Sequence, residues 1–224
     1  RFDPTQDLVA TVELSGLEPR TTYTYEVLVD GAVVGDAHTL RTLPKPGTGT
    51  LRLAFGSCLK ASHAKEQPIF DVIAKAKPDV FVWTGDNCYF THVDAADPKK
   101  LWARMRMTRA LPSLKTLLAT VSNVAQWDDH DYGNNNGNKT YRRKQHSRKV
   151  FSAYWANRSY GADGEGIYSK LSLGPLDLFL CDDRWFRDPN KDADGPKKGI
   201  LGPKQREWLI QSPAASTAPI KIVA

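Results

Sequence analysis

The segment "QWDDHDYGNNNG", Gln126 to Gly137, gathers three aspartates and three asparagines around one histidine, directly after a strand-like stretch ending at Ala125. Three other polar clusters have the same form: "GSC" at Gly56 to Cys58, "GDNCY" at Gly85 to Tyr89, and "CDDR" at Cys181 to Arg184. Each follows a short β-rich run. In α/β sheets the carboxyl ends of the strands converge on one edge, where ligands bind. Cys58, Asp86, Asp129 and Asp182, separated by 28, 43 and 53 positions, are therefore expected around one point. Taken singly, each cluster has an ordinary reading, since Asp after Gly is common turn chemistry and His130 alone could cap a helix or fill a core. Four acid-rich strand ends in succession point to a shared site.

The donor types define the chemistry. Asp86 and Asp129 supply hard oxygens, Tyr89 a phenolate, Cys58 a thiolate and His130 an imidazole. A thiolate or phenolate beside carboxylates suits a strongly Lewis-acidic ion such as ferric iron, whereas surplus carboxylate and amide oxygens suit calcium or magnesium. Packed carboxylates repel one another unless protons or cations compensate them. The acidic turn is accordingly expected to hold metal ions. Asn134 to Asn136 offer amide carbonyls, with Asn135 as the candidate ligand. The competing reading is a turn in which at least two of these asparagines adopt positive φ.

The elements that must position these groups fall into two regions. In the first fifty residues "LVATVEL" and "TYTYEVLVD" read as strands, with Asp30-Gly31 turning into "AVVG". The alternation of Leu17, Pro19, Thr21 and Tyr23 is that of the tyrosine corner of immunoglobulin-like and fibronectin type III sandwiches. We assign residues 1–45 to part of such a sandwich, 46–50 to a Pro/Gly linker, and 51–224 to an α/β domain. There, strands at "LRLAFGS", "DVFVWTGD" and "VSNVAQWDD" alternate with helices, one at "EQPIFDVIAKAKPD" with Ile69, Phe70, Ile73 and Ala74 on its apolar face. A longer helix begins at Pro98 and restarts at Pro112. A basic helix covers "KTYRRKQHSRKVFSAYWAN", two strands hinge at Gly174-Pro175, and "GPKQREWLIQS" and "IKIVA" give a final helix and strand.

Composition sets the remaining bounds. At 224 residues, 41% hydrophobic and 25% charged, the chain can bury a substantial core. No apolar run reaches the roughly eighteen residues of a membrane span, and no signal-peptide pattern opens the chain. The net charge of +6 reads as a solvated helix face and a basic loop, or as a surface drawing an anionic substrate toward a cleft. No nucleic-acid-binding motif is present, so nucleic acid is not expected as a partner. Three widely spaced cysteines argue against a disulfide framework. Cys88 and Cys181 read as small buried hydrophobes.

"FGSC", "GDNCY", "WDDHDYGNNN", "CDDRWFR" and "LGPKQREWL", in this order, resemble the alkaline phosphatase D-like (PhoD-like) phosphatases and phosphodiesterases of the calcineurin-like metallophosphatase group. "WDDHDYG" is the most specific of these; purple acid phosphatases share a sequence similar to "GDNCY". The resemblance implies a layered metallophosphatase domain, preceded by a small sandwich, and metal-assisted hydrolysis of a phosphomonoester or phosphodiester without a covalent enzyme intermediate. It implies iron (Fe3+) and calcium (Ca2+) as cofactors. Asp86 would bridge two metals, Tyr89 and Cys58 would hold ferric iron, and Asp129 would touch the second ion. His130 would contact the phosphoryl group, and Arg184, steered by Asp182, would clamp a phosphate oxygen. A secreted, periplasmic or cell-surface location is likewise implied. Departures are Cys88, Thr91 where relatives carry an acid, and the lack of any histidine after Arg184. Of the other histidines, His38, His63, His92 and His146, none lies in a family motif. The chain is expected to be a fragment lacking part of the metal shell, and the alternative function is a non-catalytic metal- or anion-binding module.

Overall fold

The computed structural model describes residues 6–61, 66–161 and 164–224; Arg1 to Thr5 of the expected sandwich, and His63, lie outside them. Three parallel strands, β3 (Leu53–Gly56), β4 (Val80–Thr84) and β5 (Ser122–Gln126), form one sheet in the order β3-β4-β5. Val80 lies opposite both Leu53 and Ser122, so the three strands end at the same edge. A second sheet has the order β6-β7-β8, where β6 (Ser169–Leu173) and β7 (Leu176–Leu180) are an antiparallel hairpin and β8 (Ile220–Val223) runs parallel to β7. The hinge glycine Gly174 takes φ +56°.

Strand alternation decides the layers. Val80 and Val82 face Leu171, Leu173, Leu176, Leu178 and Leu180, which packs the two sheets face to face. Phe81 and Trp83 point the other way, into a core with Phe70 of α1 (Ile69–Ala76) and Leu114 and Leu117 of α4 (Pro112–Thr120). Outside the second sheet, Trp208 of α7 (Gly202–Ala215) packs on Tyr168 and Phe179. The result is helix, sheet, sheet, helix. Truncating a side chain as enclosed as Trp83, 2% exposed, would cost about 3–5 kcal/mol.

The expected long helix is two, α3 (Pro98–Arg109) and α4. Asp97 caps α3 through the Lys99 N–H, and Leu111, forced extended by the following proline, ends that run before Pro112 starts the next. The remaining helices are α2 (His92–Ala95), α5 (Asp129–Tyr132) and α6 (Lys144–Tyr154). The Asn157 side chain accepts from the Ala125 N–H and donates to its carbonyl, pairing the free edge of β5. Ile69 does not join the buried face of α1; it is 53% exposed.

Only part of the N-terminal expectation holds. β1 (Thr22–Val29) and β2 (Ala32–Arg41) pair as an antiparallel hairpin, and the Glu18 N–H donates to the Tyr23 hydroxyl at 2.8 Å in the manner of a tyrosine corner. "LVATVEL" is not a strand: no described strand pairs with it, and Val12 is 76% exposed. With no strand beside it, its exposed backbone groups are left to water rather than to a ladder. The expected linker is tied down, with the Gly47 N–H on the Gly174 carbonyl and Arg20 on Thr50. Cys88 is buried, Cys181 is half-buried, and all three cysteines are free. Among the described residues no helix is long and apolar enough to cross a membrane.

One ion-paired acid ties the second sheet to α7. Asp177, 5% exposed, accepts from Ser172 Oγ at 2.7 Å and Ser216 Oγ at 2.6 Å, and pairs with Lys170 at 2.7 Å. Burial alone would raise its pKa, but these three donors outweigh it and hold it down at about 2, against an ordinary 3.8. Because the folded value is depressed, the stabilisation is present above pH 3.8 and disappears as pH falls through about 2. Asp177→Asn is expected to lose about 1–2 kcal/mol at pH 7, after screening by the partly exposed Lys170. In denaturant titrations the gap from the wild type should close below pH ~4; a gap independent of pH would assign the loss to packing.

Candidate metal centre

The site is assembled by backbone contacts between loops. After β4 the chain turns through Gly85 at φ +105° and Asp86 at φ +54°. A Cβ on Gly85 would lie 2.7 Å from the Asp128 Cβ, so only glycine lets the two strand ends approach this closely. The buried Asp131 carboxylate then joins them: it accepts from the backbone N–H groups of Asn87 at 3.0 Å, Cys88 at 2.8 Å and Asp128 at 3.1 Å. Burial pushes its pKa well up, while those hydrogen bonds favour the charged form. The Asn87 side chain adds a bond to the Gln126 carbonyl.

Asp86, Asp129 and His130 meet here. Each presents a ligand atom, and the three atoms lie within 4.8 Å of one another. The two acids are buried, at 7% and 8% exposure. The His130 N–H donates to Asp86 Oδ1 at 3.2 Å, and the Asn136 N–H to Asp129 Oδ2 at 2.5 Å. Burial raises the Asp86 pKa; the Tyr89 hydroxyl and the His130 N–H lower it, and the charges of Asp129 and Asp128 raise it again. His130 Nδ1 is buried without a hydrogen-bond partner among the described residues. Repelling buried carboxylates beside an unsatisfied imidazole nitrogen fit a bound cation, which would relieve both costs.

Cys58 and Tyr89 lie on the Asp86 side. Cys58, exposed and at φ +64°, is fixed by its N–H on the Gly85 carbonyl, and its sulfur is 4.0 Å from Asp86 Oδ2. The Tyr89 hydroxyl is hydrogen-bonded to Asp86 and Cys58; burial and those two acceptors push its pKa up. Its ring stacks on His130 with centroids 4.3 Å apart. Thr91 has a structural task here: with Asp94 it closes the capping box of α2.

Asn135 stands exposed; from that segment it is the Asn136 backbone that touches Asp129, and of the three asparagines only Asn136 takes positive φ, at 59°. One expectation needs correction. Asp182 does not touch the Arg184 guanidinium. It is fully enclosed, and its carboxylate accepts from Trp127 Nε1 and from the N–H groups of Ile167, Arg184 and Trp185. It shapes the loop instead, while Gln205 of "LGPKQREWL" brackets its own N–H and carbonyl. The residues that hold the guanidinium are Asp128, at 2.6 Å from Nε, and Asp183, at 3.3 Å. Burial would pull the Arg184 pKa down, but Asp183 and Asp128 outweigh it and keep the cation charged. Asp183 is pushed up to about 7 by burial, against the pull of Arg184. Both acids sit within the quoted motifs, and their adjacency to Arg184 and Asp129 was the available signal.

Comparison with known proteins agrees with this architecture. The family model described as PhoD-like phosphatase matches residues 53–224. Alkaline phosphatase D of Bacillus subtilis (strain 168) is 27% identical over 256 aligned residues, which cover 95% of this chain and 43% of that protein. A solved structure of PhoD superimposes with a TM-score of 0.84 at 22% identity, over 98% of this chain and 50% of that one. Purple acid phosphatase PPD1 from yellow lupin (Lupinus luteus) seeds gives 0.62 at 15% identity, over 94% and 37%. The fold is thus shared with PhoD and with a purple acid phosphatase, and the chain spans less than half the length of its curated relative. Matched from the first residue of β3 through β8, with its motif residues brought together at one sheet edge, the chain belongs to the PhoD-like phosphatase family.

Proposed function

We propose that this chain carries the metal-binding part of a phosphoester hydrolase that acts on phosphodiesters or phosphomonoesters. The observation that supports it most is the convergence of Asp86, Asp129 and His130 at the carboxyl edge of the parallel strands. Asp86, with Cys58 and Tyr89 beside it, offers the hard anionic donors that suit ferric iron; Asp129 offers oxygen suited to calcium. Bound cations supply Lewis-acid polarisation of the phosphoryl oxygens and make hydroxide available near neutral pH. The protein's own contribution is positional. His130, braced by the Tyr89 ring, faces the phosphoryl group and stabilises the leaving oxygen. Arg184 presents a charged fork held by Asp128 and Asp183, suited to a phosphate oxygen. A secreted, periplasmic or cell-surface location accompanies this reading by family likeness.

Asp86→Asn is expected to lower turnover of bis(p-nitrophenyl) phosphate by the purified protein at least about a thousandfold. Chelation should abolish turnover, and iron with calcium should restore it. Undiminished activity in either case would rule the reading out, whereas metal binding without turnover would leave a binding module. Arg184→Lys keeps the charge and loses the fork, so kcat/KM should fall about tenfold or more. An unchanged value would remove Arg184 from substrate contact.

A further inference from the structure

Two polar side chains packed beneath the loop after β4 carry buried atoms without partners. Asn87, 2% exposed, directly follows Asp86, and its Oδ1 accepts no hydrogen bond among the described residues. Arg109, the last residue of α3, lays its guanidinium over the rings of Trp155 and Tyr154, 4.1 and 5.3 Å from their centroids. Its Nε and Nη2 are buried and likewise unpartnered among the described residues. Burial pulls its pKa down to about 10, which leaves it charged at neutral pH. Folded proteins satisfy such groups with protein atoms or with ordered water.

Both side chains line one small cavity of about 10 Å³, together with Thr108 and the apolar walls of Trp83, Met105 and Leu114. That space is of the size of a single water molecule. A phosphate or sulfate is excluded by size. A halide is excluded by chemistry, because the Asn87 oxygen would face it lone pair to lone pair. Water offers a lone pair to the guanidinium and a proton to the amide oxygen, and Thr108 is the further polar residue of the wall.

The polarity of this chain decides which way the Asn87 amide points. Arginine has donors only, so the water accepts from Arg109 and donates to Asn87 Oδ1. The amide is thereby turned with Nδ2 toward the Gln126 carbonyl, to which it donates at 2.7 Å. Together with the Asn87 N–H on Asp131, that bond ties the residue after Asp86 to the end of β5. The reversed amide would set oxygen against oxygen at Gln126 and donor against donor across the water.

We propose that Arg109 is a positioning residue of the metal centre, acting through one buried water on the Asn87 amide. Arg109 orients Asn87, and Asn87 holds Asp86 at the strand end where Asp129 and His130 stand. The inference goes beyond the phosphoester reading, because it concerns how the loop is held and stands whether or not the site hydrolyses esters.

The test compares two variants of the purified protein. Arg109→Met keeps the length and the packing over Trp155 but removes every donor, whereas Arg109→Lys keeps a cation that donates. Solvent exchange of the Asn87 side-chain amide protons, followed by NMR, should speed up about tenfold or more in the methionine variant and largely recover in the lysine variant. Calcium affinity by calorimetry should fall about tenfold or more with methionine and recover with lysine. A packing role alone predicts the opposite order, with methionine harmless and lysine damaging. That order, equal losses in both variants, or no change in either would each overturn the proposal. A wild-type crystal structure at atomic resolution decides independently, including the case in which the methionine variant does not fold. It should show one water bonded to Arg109 and to Asn87 Oδ1; a dry cavity, or a direct bond between the two side chains, would refute the bridge. If the wild type binds no calcium, the metal reading fails, while amide exchange and the crystal structure still decide the role of Arg109.

Discussion

The site depends on one buried carboxylate. Asp131 is 1% exposed and accepts three backbone N–H bonds from two loops, the one after β4 and the one after β5. Burying an ionised carboxylate costs several kcal/mol, and each hydrogen bond to it returns roughly 1.5–3 kcal/mol. Burial still holds the Asp131 pKa well above its ordinary value; the three bonds oppose that cost, and they do so only while both loops stay in register. The electrostatics of one side chain therefore fixes the spacing between Asp86 and the Asp129-His130 pair. Gly85 makes the approach sterically possible, and the parallel strands bring the loops to the same edge.

The same device recurs at the end of β7. Asp182 collects four N–H donors, one from the Trp127 indole and three from the backbone, and Gln205 locks it from α7. Because Trp127 precedes the acidic turn, this second buried acid joins the two sheets near the metal centre. Arg184 leaves that loop already paired with Asp128 and Asp183, so its charge is balanced before any phosphate arrives. A centre rich in acids thus sits beside one balanced cation.

Much of this was legible in the sequence, for a physical reason. Short β-rich runs ending in Gly, Asp and His predict both the strands and the edge where they converge, and Asp86, Asp129 and His130 do meet there. The hinge at Gly174-Pro175 and the restart at Pro112 follow from backbone chemistry that survives any tertiary context. Asp182 was expected to steer the Arg184 side chain, but its carboxylate is taken up by the Trp127 indole and three backbone N–H groups, so the guanidinium is left to Asp128 and Asp183. Sequence does not say which of three consecutive asparagines turns its backbone to a carboxylate; here the Asn136 N–H, at positive φ, does so. "LVATVEL" has strand composition, yet pairing needs a partner that composition does not supply.

Asp131 is therefore the residue on which the account stands or falls. The decisive measurement is the metal affinity of Asp131→Asn against the wild type, by calorimetric titration of the folded full-length protein with calcium and with iron. An amide has a single acceptor oxygen and turns N–H donors toward N–H donors, so the two loops should part. The account predicts affinity weakened by about 10- to 100-fold, as expected when a group that orients metal ligands is removed. Unchanged affinity in a folded variant would show that the Asp86, Asp129 and His130 geometry does not depend on this buried acid.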